Sequence, residues 1–149
     1  MDITININKD TILNEAAMTA EYVGANMPAE DKDAYTRMQM PEETKEQTVR
    51  FYGEALADVC AALQECVKSF AEDGTSMTLY VPRLWNTSLL ERLQRAVTSA
   101  VVNGILARWF MITNKTEAQV YVGLAATETD KAKELLYSRV RPKHPFNEL

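Results

Sequence analysis

The sequence has very few of the residues that catalytic and metal sites require. Among 149 residues it has one histidine, two cysteines and five glycines. No motif places a serine or cysteine beside His144, and no Cys-x-x-Cys or second histidine is present to hold zinc. The glycines form neither a phosphate-binding loop nor a dinucleotide fingerprint. We therefore predict that the protein is not an enzyme, and that it uses no metal and no cofactor.

Cysteine usage and hydropathy indicate the compartment. Cys60 and Cys66 are too few for a disulfide framework. They lie six residues apart in a helical pattern, on different faces, so we expect no bridge between them and a reducing compartment. No apolar run approaches the length of a membrane span, and the start MDITININKD lacks the regions of a signal peptide. We expect a protein inside the cell with no membrane partner.

Acidic and basic residues are unevenly divided along the chain. Residues 1–73 contain 15 acidic and 6 basic side chains, whereas residues 74–149 contain 6 acidic and 10 basic ones. Two readings are open: two solvated faces, or a subunit whose acidic half meets the basic half of a neighbour in head-to-tail rings or stacks. The net charge of −5 argues against free-standing nucleic-acid binding, so we expect no sequence-specific nucleic-acid partner.

The first half of the chain predicts one strand and two helices. Apolar and polar residues alternate over about 2–8, which is typical of a short strand. A helix is expected over about 11–25, followed by a loop at 26–40 that contains about one helical turn. A second helix begins at Pro41 and runs to about Glu72. Its apolar positions are spaced by three and four residues, which favours packing along a partner helix.

The second half predicts a strand and two more helices. Residues 77–81 alternate and form the second strand. The helix at about 87–112 is so rich in apolar residues that we expect it to be central, and Gly104 within it indicates a close helix crossing. A final helix follows Asn114 at once and extends to about residue 140.

These patterns predict a mainly α protein, a helical bundle of about four helices with a small two-stranded β ribbon. The ribbon is formed by the strands at 2–8 and 77–81. Residues 1–149 are expected to form a single domain, because the chain has the length of one domain and can bury a core. An extended basic C-terminal tail is expected over about 139–149.

The N-terminal strand is the first candidate interface. A two-stranded ribbon is only marginally stable alone. Two arrangements are open: the strand packs on helices of its own chain, or its edge accepts a strand from another chain. The candidate interface residues are the apolar members of the strand, Ile3, Ile5 and Ile7.

The C-terminal tail is the second candidate interface. Cations at a helix C-terminus are favoured by the helix dipole, which alone is one explanation of the basic residues. The basic run continues past the helix, however, where two prolines hold an extended segment of low entropy. Such a segment suits docking onto an acidic partner surface. The candidate residues are Arg139, Arg141, Lys143 and His144.

Two stretches, LWNTSLL at 84–90 and ARWFMITNKTEA at 107–118, look like small proteins of phage and prophage structural modules. The chain also has a short N-terminal strand, a bundle of long helices, a brief hairpin-like insertion and a basic C-terminal extension. With these features it resembles the head-to-tail connector (adaptor, neck) proteins of tailed bacteriophages. The resemblance covers most of residues 41–145.

The resemblance implies a structural virion protein. Such a subunit forms a homo-oligomeric ring in the neck of the virion, assembled in the host cytoplasm, between the portal protein and the tail or stopper protein. The segment from Arg139 to His144 corresponds to the extension that reaches the portal. Connector proteins often begin with a helix, whereas this chain begins with a strand, so a tail-completion role stays open.

A rival interpretation comes from another class of protein. On that view the chain is a cytosolic helical binding or regulatory protein that acts as a small oligomer. Its contact surface would be the apolar positions between residues 49 and 70. Solution mass distinguishes the two interpretations.

Overall fold

The computed structural model describes residues 1–28, 30 and 33–138. Within them, four long helices, one short helix and a small sheet surround a common core. The mainly α fold class with a small β element is confirmed. In chain order the elements are β1 (Asp2–Asn6), α1 (Lys9–Ala25), α2 (Ala34–Met38), α3 (Lys45–Ala62), β2 (Val67–Phe70), β3 (Ser76–Tyr80), α4 (Leu90–Thr113) and α5 (Lys115–Tyr137).

The sheet has three strands, one more than the sequence predicts. β1 and β2 each pair antiparallel with β3, which is the central strand. Ile3 lies opposite Leu79 and Ile5 lies opposite Met77, and these residues belong to or pack against the core. The third strand and the helices supply the support that a two-stranded ribbon lacks. The N-terminal strand therefore pairs within its own chain.

The predicted helix from Pro41 to Glu72 is too long by about ten residues. Helical structure begins with a 3-10 turn just after Pro41, but α3 ends at Ala62. Residues 63–66 form turns, and Val67–Phe70 pairs with β3 as β2. Gly74, with φ of +73°, lies in the connection between β2 and β3. Leu63 and Cys66 are buried, so the helical spacing continued through a turn and did not reveal where the helix stops.

The short helix α2 confirms the helical turn expected within residues 26–40. Its last residue, Met38, is fully buried. The Met38 carbonyl accepts a hydrogen bond of 2.7 Å from the indole Nε1 of Trp109. This bond fixes the end of α2 to the middle of the core.

α4 is the central helix, as its apolar density predicts. Twelve of its 24 residues are buried, and it contacts α1, α2, α3, α5 and β1. Within the described residues it is also long and apolar enough to cross a membrane by length and composition, contrary to the sequence expectation. Of the apolar 18-residue window within residues 87–113, 61% is buried inside the fold. A core helix passes the same criterion, and this burial is typical of one.

Gly104 marks the close crossing that the sequence predicts. It is buried in α4, where that helix crosses α3. A Cβ atom placed on Gly104 would lie 2.9 Å from the Cβ of Ala55. Two helices approach this closely only when one of them has no side chain at the contact.

α5 follows α4 after a single residue and is continuous. The Asn114 side chain accepts a hydrogen bond of 3.3 Å from the backbone N–H of Glu117 and so caps the helix. The polar run at 127–130, where the sequence allowed a bend or a break, is helical. Thr127 and Thr129 each donate to the carbonyl four residues earlier, a local arrangement that helices accommodate.

Candidate interaction surface

Ile3 and Ile5 of β1, and Ile7 directly after it, face the core of their own chain. Ile5 and Ile7 are buried, and Ile3 is partly buried against the same cluster. A partner would therefore meet the backbone edge of β1 and not the side chains of Ile5 and Ile7.

Hydrogen bonding shows which backbone groups of β1 point towards that edge. The N–H of Ile7 donates to Thr75, and the N–H of Val81 donates to Met1, so the odd residues of β1 bond to β3. The backbone groups of Asp2, Thr4 and Asn6 point the other way. The N–H of Asn6 is already bonded to the Gln94 side chain at 3.1 Å. The accessible part of this edge is therefore short.

The second predicted interface lies outside the described residues. Arg139, Arg141, Lys143 and His144 all follow Ser138, the last residue that the structure describes. Docking of this tail on an acidic partner stays a prediction from sequence.

α5 is the most incompletely packed long helix in the described part of the chain. Only Ala118, Ala132 and Leu136 of its 23 residues are buried. Val120 is 51% exposed and Leu124 is 43% exposed. The apolar spacing of the final helix in the sequence includes Leu124 with Tyr121 and Ala125 and so predicts that it faces the core, but the structure shows it exposed. We call Val120 and Leu124, one turn apart on the same side of α5, the ridge.

A groove lies on the other side of α5, between α3, α4 and α5. Its volume is about 590 Å³, and small apolar residues line most of it. Ala55 and Val59 belong to α3, Gly104 belongs to α4, and Val122 and Ala126 belong to α5. Since consecutive helical residues are about 100° apart, Ala126 in the groove is about 200° from Leu124 on the ridge. The ridge and the groove therefore face in nearly opposite directions.

The rim of the groove is acidic. Arg108 donates to Glu54 at 3.1 Å, to the Gly104 carbonyl at 3.2 Å and, by a shorter contact, to Asp58. The guanidinium of Arg108 thus pairs with two carboxylates, those of Glu54 and Asp58. Asp130 adds a further carboxylate from α5 and forms no salt bridge within the described residues. The rim has a net negative charge.

The ridge side of α5 is basic at its C-terminal end. Arg92 and Arg95, which are exposed on α4, share a shallow hollow with Lys131 of α5. Lys131 also pairs with Glu128 at 3.2 Å. Glu128 and Glu134 line the same hollow, so its three cations face two carboxylates and its net charge is positive. α5 thus separates a surface of net positive charge from one of net negative charge.

Tyr137, the last residue of α5, contacts the turn that follows α3. Its hydroxyl donates to the Glu65 carboxylate at 2.8 Å and lies 4.0 Å from the Cys66 sulfur. The bond to Glu65 holds the proton on the phenol and, with Cys66 and the charge of Glu65, raises the pKa of Tyr137 to about 12.

We expect the ionisation of Tyr137 to appear near pH 12 in the absorbance of tyrosinate at 295 nm. The folded pKa lies above the ordinary 10.0, so this bond contributes stability below pH 10 that is lost as the pH rises through 12. In Glu65→Gln the pKa should move back towards 10. An unchanged titration in that variant, with circular dichroism showing a folded chain, would contradict the assignment.

The remaining reactive groups are separate from this surface. Cys60 and Cys66 are free thiols, and burial raises the pKa of Cys60, which makes it a poor nucleophile at neutral pH. Among residues 1–28, 30 and 33–138, no group of three or more His, Cys, Asp or Glu side chains is placed to hold a metal ion.

The fold and its surfaces define a mainly helical protein with a half-packed C-terminal helix. No protein-family model matches the chain, and no curated protein or solved structure is significantly similar to it. The function of this protein is therefore inferred from its own residues and surfaces.

Sequence reasoning missed the groove and the ridge. The signal for the ridge was present, because Val120 falls outside the apolar stripe that the spacing of α5 predicts. The groove had no such signal, since alanines at helical spacing are typical of a buried face. Its openness depends on how far α3 and α5 diverge across α4.

Proposed function

We propose that this protein is a structural subunit without catalytic activity, which assembles into a ring and connects the head and tail of a tailed bacteriophage. The observation that supports assembly is the incomplete packing of α5. The narrower role as a connector depends on the resemblance of residues 41–145 to the connector family. Its ring would lie between the portal protein and the tail or stopper protein.

An incompletely packed helix is a physical reason to expect a partner. Large apolar side chains of a monomeric protein are exposed singly, and aligned exposed residues are typical of interaction surfaces. On α5, Val120 and Leu124 lie in line on one side, and Val122, which is also exposed, lines the apolar groove on the other side. Neighbouring subunits on both sides would complete the packing of this helix, as in a ring.

The test is the mass of the purified protein in solution, measured by light scattering over a range of concentration and salt. We expect a closed oligomer larger than a dimer, with a mass that depends on salt, because charged rims contribute to the contact. Electron microscopy of the same sample should show rings. A dimer at all concentrations would support the rival cytosolic binding protein and contradict the ring.

The connector role has its own discriminating experiment. We expect purified portal rings of the parent phage to capture the full chain and not the variant truncated after Ser138, because the resemblance assigns portal contact to the tail. Circular dichroism of the truncated variant shows whether its helices remain. Capture of that folded variant at the level of the full chain would show that the tail does not dock on the portal.

A further inference from the structure

From the geometry we infer how neighbouring subunits bind: the ridge of one subunit, Val120 and Leu124, inserts into the groove of the next. The partner is a second copy of this chain. This inference depends on the proposed assembly and identifies the surfaces that form it.

The ridge and the groove are complementary in shape. The ridge presents two branched apolar side chains one helical turn apart. The groove is lined by small residues, among them Ala55, Gly104 and Ala126, so a helix bearing larger side chains can approach its base closely. Large residues on one surface and small residues on the other are what ridges-into-grooves packing requires.

The surfaces beside the ridge and around the groove are complementary in charge. The hollow on the ridge side has three cations, Arg92, Arg95 and Lys131, against the carboxylates of Glu128 and Glu134, a net positive charge. The groove has Asp58 and Asp130 against Arg108, a net negative charge. Both sets flank the same part of α5. When neighbouring subunits lie side by side with their α5 helices nearly parallel, Lys131 of one copy therefore meets the level of Asp130 in the next. Such complementarity steers association and sets the orientation.

A contact between ridge and groove joins two different surfaces and has no two-fold symmetry. The ridge and the groove are different surfaces on nearly opposite sides of α5, so the contact is heterologous and not two-fold. Each subunit retains a free ridge at one end and a free groove at the other. Association therefore continues from subunit to subunit, and it ends in a ring when the rotation between neighbours closes on itself.

The experiment uses two full-length variants, each with one substitution in α5. The two substituted positions are two residues apart. Leu124→Glu removes the ridge, and Ala126→Glu obstructs the groove. Both positions are exposed, and each change adds one negative charge. Gly123→Glu is the matched control, because it lies on the solvent side between the two surfaces, where an added Cβ atom meets nothing within 4 Å.

We expect Leu124→Glu and Ala126→Glu each to raise the concentration for half-assembly at least tenfold, with Gly123→Glu like wild type. A mixture of the first two should form a 1:1 heterodimer, because one retains a groove and the other a ridge. A mixture that stays monomeric, or variants that assemble as wild type does, would overturn the inference. A wild-type chain that is monomeric at every concentration would overturn the proposed assembly as well.

A charge reversal tests the orientation. Lys131→Glu or Asp130→Arg alone should weaken assembly at low salt, and the chain carrying both changes should recover it, because residue 131 of one copy and residue 130 of the next again have opposite charges. Recovery also shows that the single variants fold. Assembly of the doubly changed chain that is no better than that of either single variant would contradict the arrangement.

Discussion

Gly104→Leu should destabilise the protein, because α3 and α4 cross closely at this glycine. The leucine side chain would meet Ala55 of α3, which already lies within 2.9 Å of the first added carbon. Overpacking in a rigid core costs about 3 kcal/mol, and the gain in helix propensity of about 1 kcal/mol offsets only part of it. We expect a net loss of about 2 kcal/mol in the free energy of unfolding, measured by urea denaturation.

The chain contains matched controls for this prediction. Gly53 in α3 and Gly123 in α5 are also helical glycines, but a Cβ atom added to either meets nothing within 4 Å. Gly53→Ala and Gly123→Ala should therefore gain up to about 1 kcal/mol from helix propensity. A Gly104→Leu protein with unchanged stability would show that α3 and α4 do not cross closely at this point.

Trp109→Ala should cost about 4 kcal/mol, the range found when large aromatic side chains are removed from a core. Trp109 is buried and contributes both packing and the hydrogen bond to Met38. Its loss leaves a cavity beside α4 and leaves the Met38 carbonyl without its donor. Urea denaturation measures the loss in the free energy of unfolding. Protease cleavage within residues 26–40 reports the release of α2.

A second substitution separates the hydrogen bond from the packing. Trp109→Phe keeps most of the apolar volume and removes the N–H donor, so we expect a loss of about 1–3 kcal/mol from the unsatisfied carbonyl. Trp85→Phe is the matched control, because the Nε1 of Trp85 donates at 2.7 Å to Leu135, at the end of α5. It should lose a similar free energy without increased cleavage within residues 26–40. Equal cleavage in both variants would contradict the role of Trp109 in fixing α2.

Several elements were determined by the sequence by itself, because they depend on neighbours along the chain. Alternation in β1 and β3, the apolar density of α4 and the start of a new helix directly after Asn114 are local patterns with local physical causes. Gly104 also belongs here, since a glycine in the middle of a strongly apolar helix has few explanations other than close packing. These features made the mainly α class predictable.

Only the tertiary structure decided where α3 ends and which side of α5 is covered. Val67–Phe70 is a strand because β3 pairs with it, and that partner is not visible in a helical spacing that continues through Leu63 and Cys66. Leu124 fits the apolar period of α5, yet it is exposed because α4 alone supports most of that helix. The spacing of apolar residues indicates that a helix has an apolar side. The positions of the other helices decide whether that side is buried. The ridge and the groove, and with them the proposed assembly, follow from those positions.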